Sequence, residues 1–487
     1  MSIGRNTGYN LLGTAIPTLL ALITVPAYLK LIGAERYGVL AIAWLILGYF
    51  GVFDLGLGRA TAQRISALRN ASADERATAF GTALVSNLVV GMIGAAVMWP
   101  ASWYLFQHEM KVGMGLRDET LAALPWLALA VPVATTLGVF SGAMMAREKF
   151  LVSNRISVTS TSLFQLFPLA VAKFVGPNMS LLLAASIAAR LVGLGMYWLE
   201  CNREFGADAV RRFDRGQLRQ LLSYGGWVTV TALFGPMLVI IDRFVIGAMI
   251  GAYAVTVYVV PMQLTSRLAT VSQALGNAVF PRLALAEGEE ERRIVRSGIG
   301  ALYAALTPPV AAAYVLMENG LDIWVGHKLG TEAAPVGRIL LLAAWTNIFG
   351  VVPWVRLQAS GRPDLVSKIL LAELPFFLVS LYFGIAWGGV IGAALVYFIR
   401  LVIDVVIFNF VAFRRFDHGW AVALAFAGFG GLELTLQVLP LNLWVRAAAA
   451  GLAGLVFAVP AWMVAPQGAR DKLVALARRR GAPQAAA

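Results

Sequence analysis

Long apolar runs separated by short polar segments dominate the chain. A transmembrane helix needs about 20 consecutive, mainly apolar residues. Runs of about that length occur fourteen times, so the pattern predicts an all-α polytopic membrane protein with about 14 transmembrane helices. The predicted helices cover residues 9–32, 37–58, 79–105, 121–146, 156–176, 179–200, 221–249, 253–278, 298–318, 335–357, 366–386, 388–411, 419–438 and 441–464.

Short sequence matches recur in the same order along two parts of the chain. Gly33-Ala34 returns as Gly251-Ala252 at an offset of 218, and Arg190-Leu191-Val192 returns as Arg400-Leu401-Val402 at an offset of 210. This order predicts duplication of a six-helix unit. Because six is an even number, both copies start from the same side of the membrane, which predicts two parallel repeats around a central cavity. Three further matches lie along the chain between the Gly33 and Arg190 matches. They are Leu57-Gly58, Arg64 and Leu151-Val152-Ser153, which return as Leu275-Gly276, Arg282 and Leu365-Val366-Ser367.

The duplication predicts the domain organisation. An N-terminal six-helix bundle covers residues 1–205, and a second six-helix bundle covers residues 206–415. Helices 13 and 14, in residues 416–465, form an additional pair outside the duplication, and a basic tail follows at 466–487. The tail is interpreted either as a short amphipathic helix on the inner membrane surface or as a frayed basic end.

Composition and charge support a membrane protein and set its orientation. The chain is 59% hydrophobic and 13% charged, against about 25% charged residues in soluble proteins. Of its 39 Lys and Arg residues, 27 lie in one set of loops and eight in the other. The protein is predicted to lie in the cell inner membrane. The positive-inside rule then predicts that both termini are cytoplasmic. The net charge of +13 then reflects topology and contact with anionic lipid, and no nucleic-acid partner is expected.

Three sequence segments carry a resemblance to a known family. They are Asn6, Asn10, Pro17 and Pro26, then Leu31–Gly38 and Phe53–Ala60. Together with Asp242-Arg243-Phe244 and Gly251-Ala252-Tyr253, they resemble the polysaccharide transporter family. Its members are the lipid-linked oligosaccharide (O-antigen type) flippases, which are relatives of multidrug exporters. The resemblance implies twelve to fourteen helices in two bundles around a cavity, and a polyprenyl-diphosphate-linked oligosaccharide as substrate.

Arginines inside the apolar runs are the candidate diphosphate-binding residues. A guanidinium in hydrocarbon costs about 3 kcal/mol, and its planar donors bind phosphate oxygens bidentately. Arg267 and Arg190 have no acidic residue three or four positions away, so they are expected either in the cavity or in a salt bridge to another helix, for which Glu373 is available. Arg400 has Asp404 at i+4, which favours a structural ion pair.

The remaining candidates are acids and amides near the helix ends or interfaces. Asp242 and Arg243 are adjacent, so their side chains point in directions about 100° apart around the helix axis, and their charges are not expected to cancel. Arg243 is interpreted as facing the outer mouth of the cavity or interfacial phosphates. The possible coupling or ion-pair acids are Asp242, Glu373, Asp404 and Asp54, the last alternatively a carboxylate that organises a helix end. The possible sugar contacts are Asn10, Gln263 and Asn277, which are alternatively polar residues at helix interfaces.

Several other chemistries are not indicated. No lysine follows a glycine, so no Walker A motif is present, and the three histidines lie far apart. We therefore expect no cofactor, no metal site and no enzyme, but a flippase driven by an ion gradient or by the membrane potential. Polymerase and glycosyltransferases of the same pathway are its expected partners. The alternatives are a membrane glycan polymerase or ligase, whose large outer loop is missing here, and a multidrug exporter, whose cavity would be acidic.

Overall fold

Most helices of the computed structural model follow the predicted apolar runs, whereas most of the predicted run 221–249 and the tail beyond residue 471 lie outside the described residues. The structure describes residues 3–52, 57–218, 237–238, 240–283, 285–286, 288–360, 362–414, 418–438, 442–468 and 470–471. Eight helical segments among these residues are long and apolar enough to cross a membrane. The helices are α1 Ile3–Val52, α2 Leu57–Ala67, α3 Ala73–Tyr104, α4 Met114–Ala146, α5 Phe150–Phe174, α6 Met179–Phe205, α7 240–249, α8 Ala252–Thr265, α9 Leu268–Leu283, α10 Gly288–Val325, α11 His327–Ala359, α12 Pro363–Phe413, α13 Gly419–Val438 and α14 Leu443–Val464.

Two of these helices extend over two predicted runs each: α12 contains 366–386 and 388–411, and α1 contains 9–32 and the part of 37–58 up to Val52. In α1 the chain changes direction at Gly33, with φ 78° and ψ 163°, and in α12 it does so at Gly389, with φ 56° and ψ −137°. Both conformations lie in the left-handed half of backbone space, which glycine adopts at little cost because it has no Cβ. Each of the two long segments is therefore a pair of helices joined at a glycine, as the runs predicted.

The chain divides into two compact units, Met1–Thr256 and Val257–Ala487. The first unit includes α7 and the start of α8 because both pack on its other helices. Thr256 Oγ1 donates a hydrogen bond to the Ala34 carbonyl at 2.6 Å, and Lys111 Nζ donates to the Met249 carbonyl at 2.7 Å. Gly38 lies so close to the Ala252 carbonyl that a Cβ there would overlap it. The predicted bundles 1–205 and 206–415 and the duplication itself stay predictions.

The core of the first unit consists of aromatic and small residues of α2 to α6 that pack against each other. Phe80 of α3 stacks on Phe205 of α6, with ring centroids 4.7 Å apart, and on Phe140 of α4 at 5.8 Å. Gly142 of α4 lies directly against the backbone of Gly58 in α2. In a membrane, where lipid competes for apolar contacts, such small residues allow helices to approach closely and pack.

In the second unit, the core is centred on Trp345 of α11. This side chain is fully buried, donates to Thr307 Oγ1 at 3.0 Å, and packs edge-on against Phe349 and Phe429. Phe429 belongs to α13, so the additional C-terminal helix pair contributes to the core. The C-terminal helix pair also makes a polar contact with the rest of the unit. Arg446 of α14 forms a buried ion pair with Glu318 of α10 at 2.9 Å.

The two halves of α12 approach each other through two glycines. A Cβ on Gly392 would overlap the Gly384 carbonyl oxygen, whereas a Cβ on Gly388 would meet no atom within 4 Å. Gly392→Ala is therefore expected to destabilise the protein by about 1–3 kcal/mol, the usual cost of forcing extra atoms into a packed contact. Thermal unfolding of the detergent-solubilised protein, followed by tryptophan fluorescence, measures the effect.

The matched control for this prediction is Gly388→Ala, which adds the same methyl group to the same hairpin. It is expected to melt within about 1 °C of the unsubstituted protein, since changes away from packed contacts are typically within ±0.5 kcal/mol. Equal melting temperatures for the two variants would contradict the close contact between the two halves of α12.

Candidate functional site

Arg190 lies near the middle of α6 in the first unit. Its guanidinium carbon is 4.5 Å from the centroid of the Phe164 ring of α5, a cation–π contact. The residue is half-buried, and no carboxylate of the described residues forms an ion pair with it. Stacking on a ring face holds a guanidinium in place while leaving its edge donors available. Arg190 is thus a positioned cation without a counter-charge in the described structure.

An aromatic row continues from Phe164 to α1. Trp44 lies 5.5 Å from Phe164 between ring centroids, and Tyr28 packs edge-on against Trp44 at 5.3 Å. Trp44 Nε1 donates a hydrogen bond to Ser186 Oγ at 3.1 Å, one turn before Arg190 on α6. The row therefore joins α1, α5 and α6 around the cation.

Gln165 fixes the adjoining part of α1 on α5. Its Oε1 accepts a hydrogen bond from Thr24 Oγ1 at 3.2 Å, and its Nε2 donates to the Pro17 carbonyl at 3.2 Å. Its own carbonyl oxygen accepts from Tyr28 Oη at 2.5 Å. The sequence did not indicate Trp44 or Gln165, because one aromatic or amide residue inside an apolar run carries no pattern that separates a site from ordinary helix packing.

Arg267 lies where a predicted helix is interrupted. The continuous helix 253–278 is wrong, because α8 ends at Thr265 and α9 begins at Leu268. Thr265 Oγ1 donates to the Met262 carbonyl at 3.3 Å, and Ser266 Oγ donates to the Gln263 carbonyl at 3.2 Å. Such side-chain hydrogen bonds compete with the helical backbone bonds and favour a break. Arg267 is exposed in the resulting turn.

The break creates a helix N-terminus beside this arginine. The N–H groups of Ala269 and Thr270 at this helix start donate to the Ser266 and Arg267 carbonyls at 3.2 and 3.1 Å, and the aligned peptide dipoles give the helix end a partial positive charge. Interrupted membrane helices use such ends to bind anionic groups of transported substrates. Leu268 starts α9 directly after Arg267, so a full positive charge and the positive end of a helix occur together in the second unit.

Asp242 and Arg243 form a buried ion pair in α7. Arg243 Nη1 lies 3.3 Å from Asp242 Oδ1, and the Arg243 backbone N–H donates to the same oxygen at 2.9 Å. The expectation that their charges would not cancel is wrong. A long arginine side chain folds back along the helix, and the desolvated setting, with exposures of 0% for Asp242 and 6% for Arg243, favours pairing over the direction set at Cα.

Arg400 lies in a buried cluster with both acids that sequence reasoning placed near it. Its guanidinium is 3.3 Å from Asp404 Oδ2 and 3.6 Å from Glu373 Oε2. The expected i+4 pair with Asp404 is therefore present. Glu373, considered as a partner of Arg190 or Arg267, is instead next to Arg400. The guanidinium also stacks over Phe377, with its carbon 5.0 Å from the ring centroid.

The remaining candidates are described only in part. Asp54 lies outside the described residues. Asn10 belongs to α1 and Asn277 to α9, and their side chains lie outside what the structure describes. Gln263 is half-buried in the last turn of α8, two residues before its end. The amide therefore lies beside the helix interruption at Arg267, in the second unit.

The chain is similar in sequence to a known family and to known proteins. The model of a family described as polysaccharide biosynthesis protein matches residues 3–286. A Shigella flexneri protein whose name describes an O-antigen transporter is 28% identical over 415 residues, which cover 85% of this chain and 98% of that protein. The teichuronic acid biosynthesis protein TuaB of Bacillus subtilis is 22% identical over 365 residues, covering 73% of this chain and 71% of its own length.

Comparison with solved structures gives the fold. The lipid II flippase MurJ in an inward closed conformation superposes with a TM-score of 0.68 at 12% identity, over 92% of this chain and 97% of that one. An inward-facing multidrug transporter of the MATE family and MOP superfamily gives a TM-score of 0.66 at 14% identity, over 87% and 99%. The chain thus has the polytopic helical fold of these two proteins, and since the family model covers more than half of the sequence, the chain belongs to the polysaccharide biosynthesis protein family.

Proposed function

We propose that this protein is a flippase that moves a polyprenyl-diphosphate-linked oligosaccharide from the cytoplasmic to the periplasmic leaflet. Its family and fold are those of transporters. Transport of a lipid-linked glycan is supported by the name of the O-antigen transporter relative and by the fold shared with a lipid II flippase. The product would enter assembly of a cell-surface polysaccharide by a polymerase and glycosyltransferases of the same pathway.

The observation that carries this proposal is that Arg190 lies on a membrane-spanning helix without a carboxylate partner among the described residues. A guanidinium in a membrane-spanning helix is costly unless it is compensated. Here the described residues provide an aromatic face but no carboxylate. A diphosphate would supply the missing counter-charge, and its oxygens match the planar donors of arginine. Arg190 as a residue is half-buried, so it is not fully enclosed by the described residues.

Arg267 and the start of α9 support an anionic substrate independently. The exposed side chain and the helix N-terminus both favour a negatively charged group. Gln263, in the helical turn before the break, adds an amide that can hydrogen-bond to a sugar or phosphate. Arg243 and Arg400 contribute less to this proposal, since each already has a carboxylate within 4 Å.

The membrane potential provides a driving force without a nucleotide. A negative charge that leaves an inside-negative cytoplasm gains about 2.3 kcal/mol per 100 mV. A diphosphate with two negative charges would gain about 4–5 kcal/mol per 100 mV on the same basis. An ion gradient is the other source that the proposal allows, with Asp242, Glu373 and Asp404 as the intramembrane acids.

A multidrug exporter is the second candidate, favoured by the fold shared with a MATE family transporter. Exporters of organic cations need negative charge where the substrate binds. The intramembrane acids of the described residues lie next to arginines, as Asp242 does with Arg243 and Asp404 with Arg400. Within the described residues, Arg190 is a cation on a membrane-spanning helix without a carboxylate partner, so an anionic substrate fits this chain better.

Substitution of Arg190 tests the proposed function directly. In a strain that lacks the native gene, Arg190→Ala is expected to reduce surface polysaccharide at least about tenfold, since a hydrogen bond to a charged group contributes about 1.5–3 kcal/mol. Lipid-linked glycan should accumulate on the inner leaflet. Arg190→Lys should restore part of the activity, because it keeps the charge but loses the planar donors.

Arg203 provides the matched control for this experiment. It lies on the same helix, is mostly exposed, and pairs with Glu200 at 2.8 Å. Arg203→Ala removes the same side chain and should leave export within about twofold, as expected for an exposed ion pair worth about 0–1 kcal/mol. Equal export by the Arg190→Ala and Arg203→Ala strains, at equal protein levels, would rule out the role proposed for Arg190.

Arg267 gives an independent prediction in the second unit. Arg267→Ala is expected to lower export by about tenfold or more with little change in melting temperature, because the side chain is exposed. Arg282→Ala is the control, since Arg282 is also exposed and lies in the last turn of α9, far from the helix start. If both substitutions lower export equally, the effect belongs to general surface charge and the site at the start of α9 is refuted.

A further inference from the structure

The second unit contains a counterpart of the Arg190–Phe164 contact. Arg400 follows Arg190 at the repeat offset of 210, and Phe377 follows Phe164 at an offset of 213. In each unit the arginine stacks on the phenylalanine, with the guanidinium carbon 4.5 Å from the ring centroid in the first and 5.0 Å in the second. The same cation–aromatic pair therefore occurs twice in the chain.

The helices that carry the two pairs are also joined alike. Gly176 separates α5 from α6 with φ 137°, and Gly389 separates the halves of α12 with φ 56°. Their sequence offset is 213, between the offsets of the neighbouring matches. Each unit thus presents its arginine on the second helix of a pair that is connected at a glycine with positive φ.

The two arginines differ in their counter-charges. Arg190 has no carboxylate partner among the described residues, whereas Arg400 has Asp404 at 3.3 Å and Glu373 at 3.6 Å. Both acids are buried, with side-chain exposures of 7% for Asp404 and 11% for Glu373. Two carboxylates thus lie around one guanidinium, and they cancel its attraction for any other anion.

A cavity of about 580 Å³ reaches this cluster. Its volume lies within the range of about 300–1,000 Å³ that is typical of ligand sites. Glu373 and Arg400 are its charged lining residues, among side chains such as Ile369, Phe376 and Val396. Both Glu373 carboxylate oxygens lack a hydrogen-bond donor within the described structure. An anion that entered the cavity would meet these oxygens beside the guanidinium.

We propose that Arg400 is a further diphosphate-binding position, the counterpart of Arg190 in the second unit, and that Glu373 and Asp404 mask it, so that the diphosphate binds at Arg190 and not at Arg400. The inference rests on the proposed function, because its ligand is the diphosphate assigned to Arg190. A transporter has to release what it binds, and a site for passage must hold its ligand weakly enough to let it leave. A second open arginine would retain the diphosphate, and the acids prevent this.

The experiment measures binding stoichiometry with farnesyl diphosphate, a short isoprenoid diphosphate, and the full chain in phospholipid nanodiscs. All variants carry Arg267→Ala, so that only binding at Arg190 and Arg400 is counted. Isothermal titration calorimetry should then give one site per chain in this background and none when Arg190→Ala is added. The double variant E373Q/D404N should bind two equivalents. The triple variant R190A/E373Q/D404N should bind one, and the further substitution R400A should abolish that binding.

Asp364→Asn is the matched control for the loss of an acid. Asp364 lies on α12 as well, but it is exposed and pairs with Lys368 at 3.1 Å. This variant should keep one site. Farnesol, which lacks the diphosphate, should not titrate the E373Q/D404N protein at the second position. Binding of farnesol there would show an apolar site in the cavity and overturn the masked anion site.

The remaining outcomes separate this inference from the proposed function. If folded R190A/E373Q/D404N, checked by its melting curve, binds no farnesyl diphosphate, Arg400 is not a masked site. If the Arg267→Ala background and R190A bind alike while E373Q/D404N gains a site that R400A removes, the role of Arg190 fails and the mask stands. Should E373Q/D404N not fold, R190A/D404N gives the same comparison, with at least tenfold tighter binding expected than for R190A; no gain overturns the inference.

Discussion

Compensation of charge inside the membrane is the constraint on which the organisation of this protein depends. A charged side chain near the bilayer centre costs about 2.5–3.5 kcal/mol even on insertion scales. The structure meets this cost in different ways. Asp242 and Arg243 pair within one helix, and Arg446 pairs with Glu318 between two helices. Arg190 is stabilised by an aromatic face and by no carboxylate of the described residues, and for this reason it is the residue to which the proposed function assigns the diphosphate.

The fold could be predicted from hydropathy because each crossing must be helical and apolar. The runs 419–438 and 441–464 correspond to α13 Gly419–Val438 and α14 Leu443–Val464 almost residue for residue. The interruption at Ser266 could not be predicted in this way. It depends on hydroxyl groups that bond to nearby carbonyls, and one Thr-Ser pair hardly changes the mean hydropathy of a run.

The candidate site could be predicted only as far as single residues. Isolated arginines in apolar sequence indicate a special role, but the partner of each is set by tertiary packing. Glu373 lies 27 positions before Arg400 in the sequence and 3.6 Å from it in space. The i+4 pair of Arg400 with Asp404 was accessible because helix geometry alone places such residues on one face. The aromatic row through Trp44 depends on three helices, so no local pattern encodes it.

The cluster around Arg400 is not explained by stability. Replacing a buried ion pair or triad by well-packed apolar residues is often neutral or stabilising, because desolvation offsets the Coulomb attraction. A cluster of three charged residues, two of which line the cavity, would then be a costly way to fill the space between two helices. The corresponding arginine of the first unit, Arg190, also stacks on a phenylalanine, but it has no carboxylate partner among the described residues. Under the proposed function, a scaffold that presents the same cation twice is given two different functions by its acids alone, and the charge balance around each arginine, rather than its position, determines whether it binds the diphosphate.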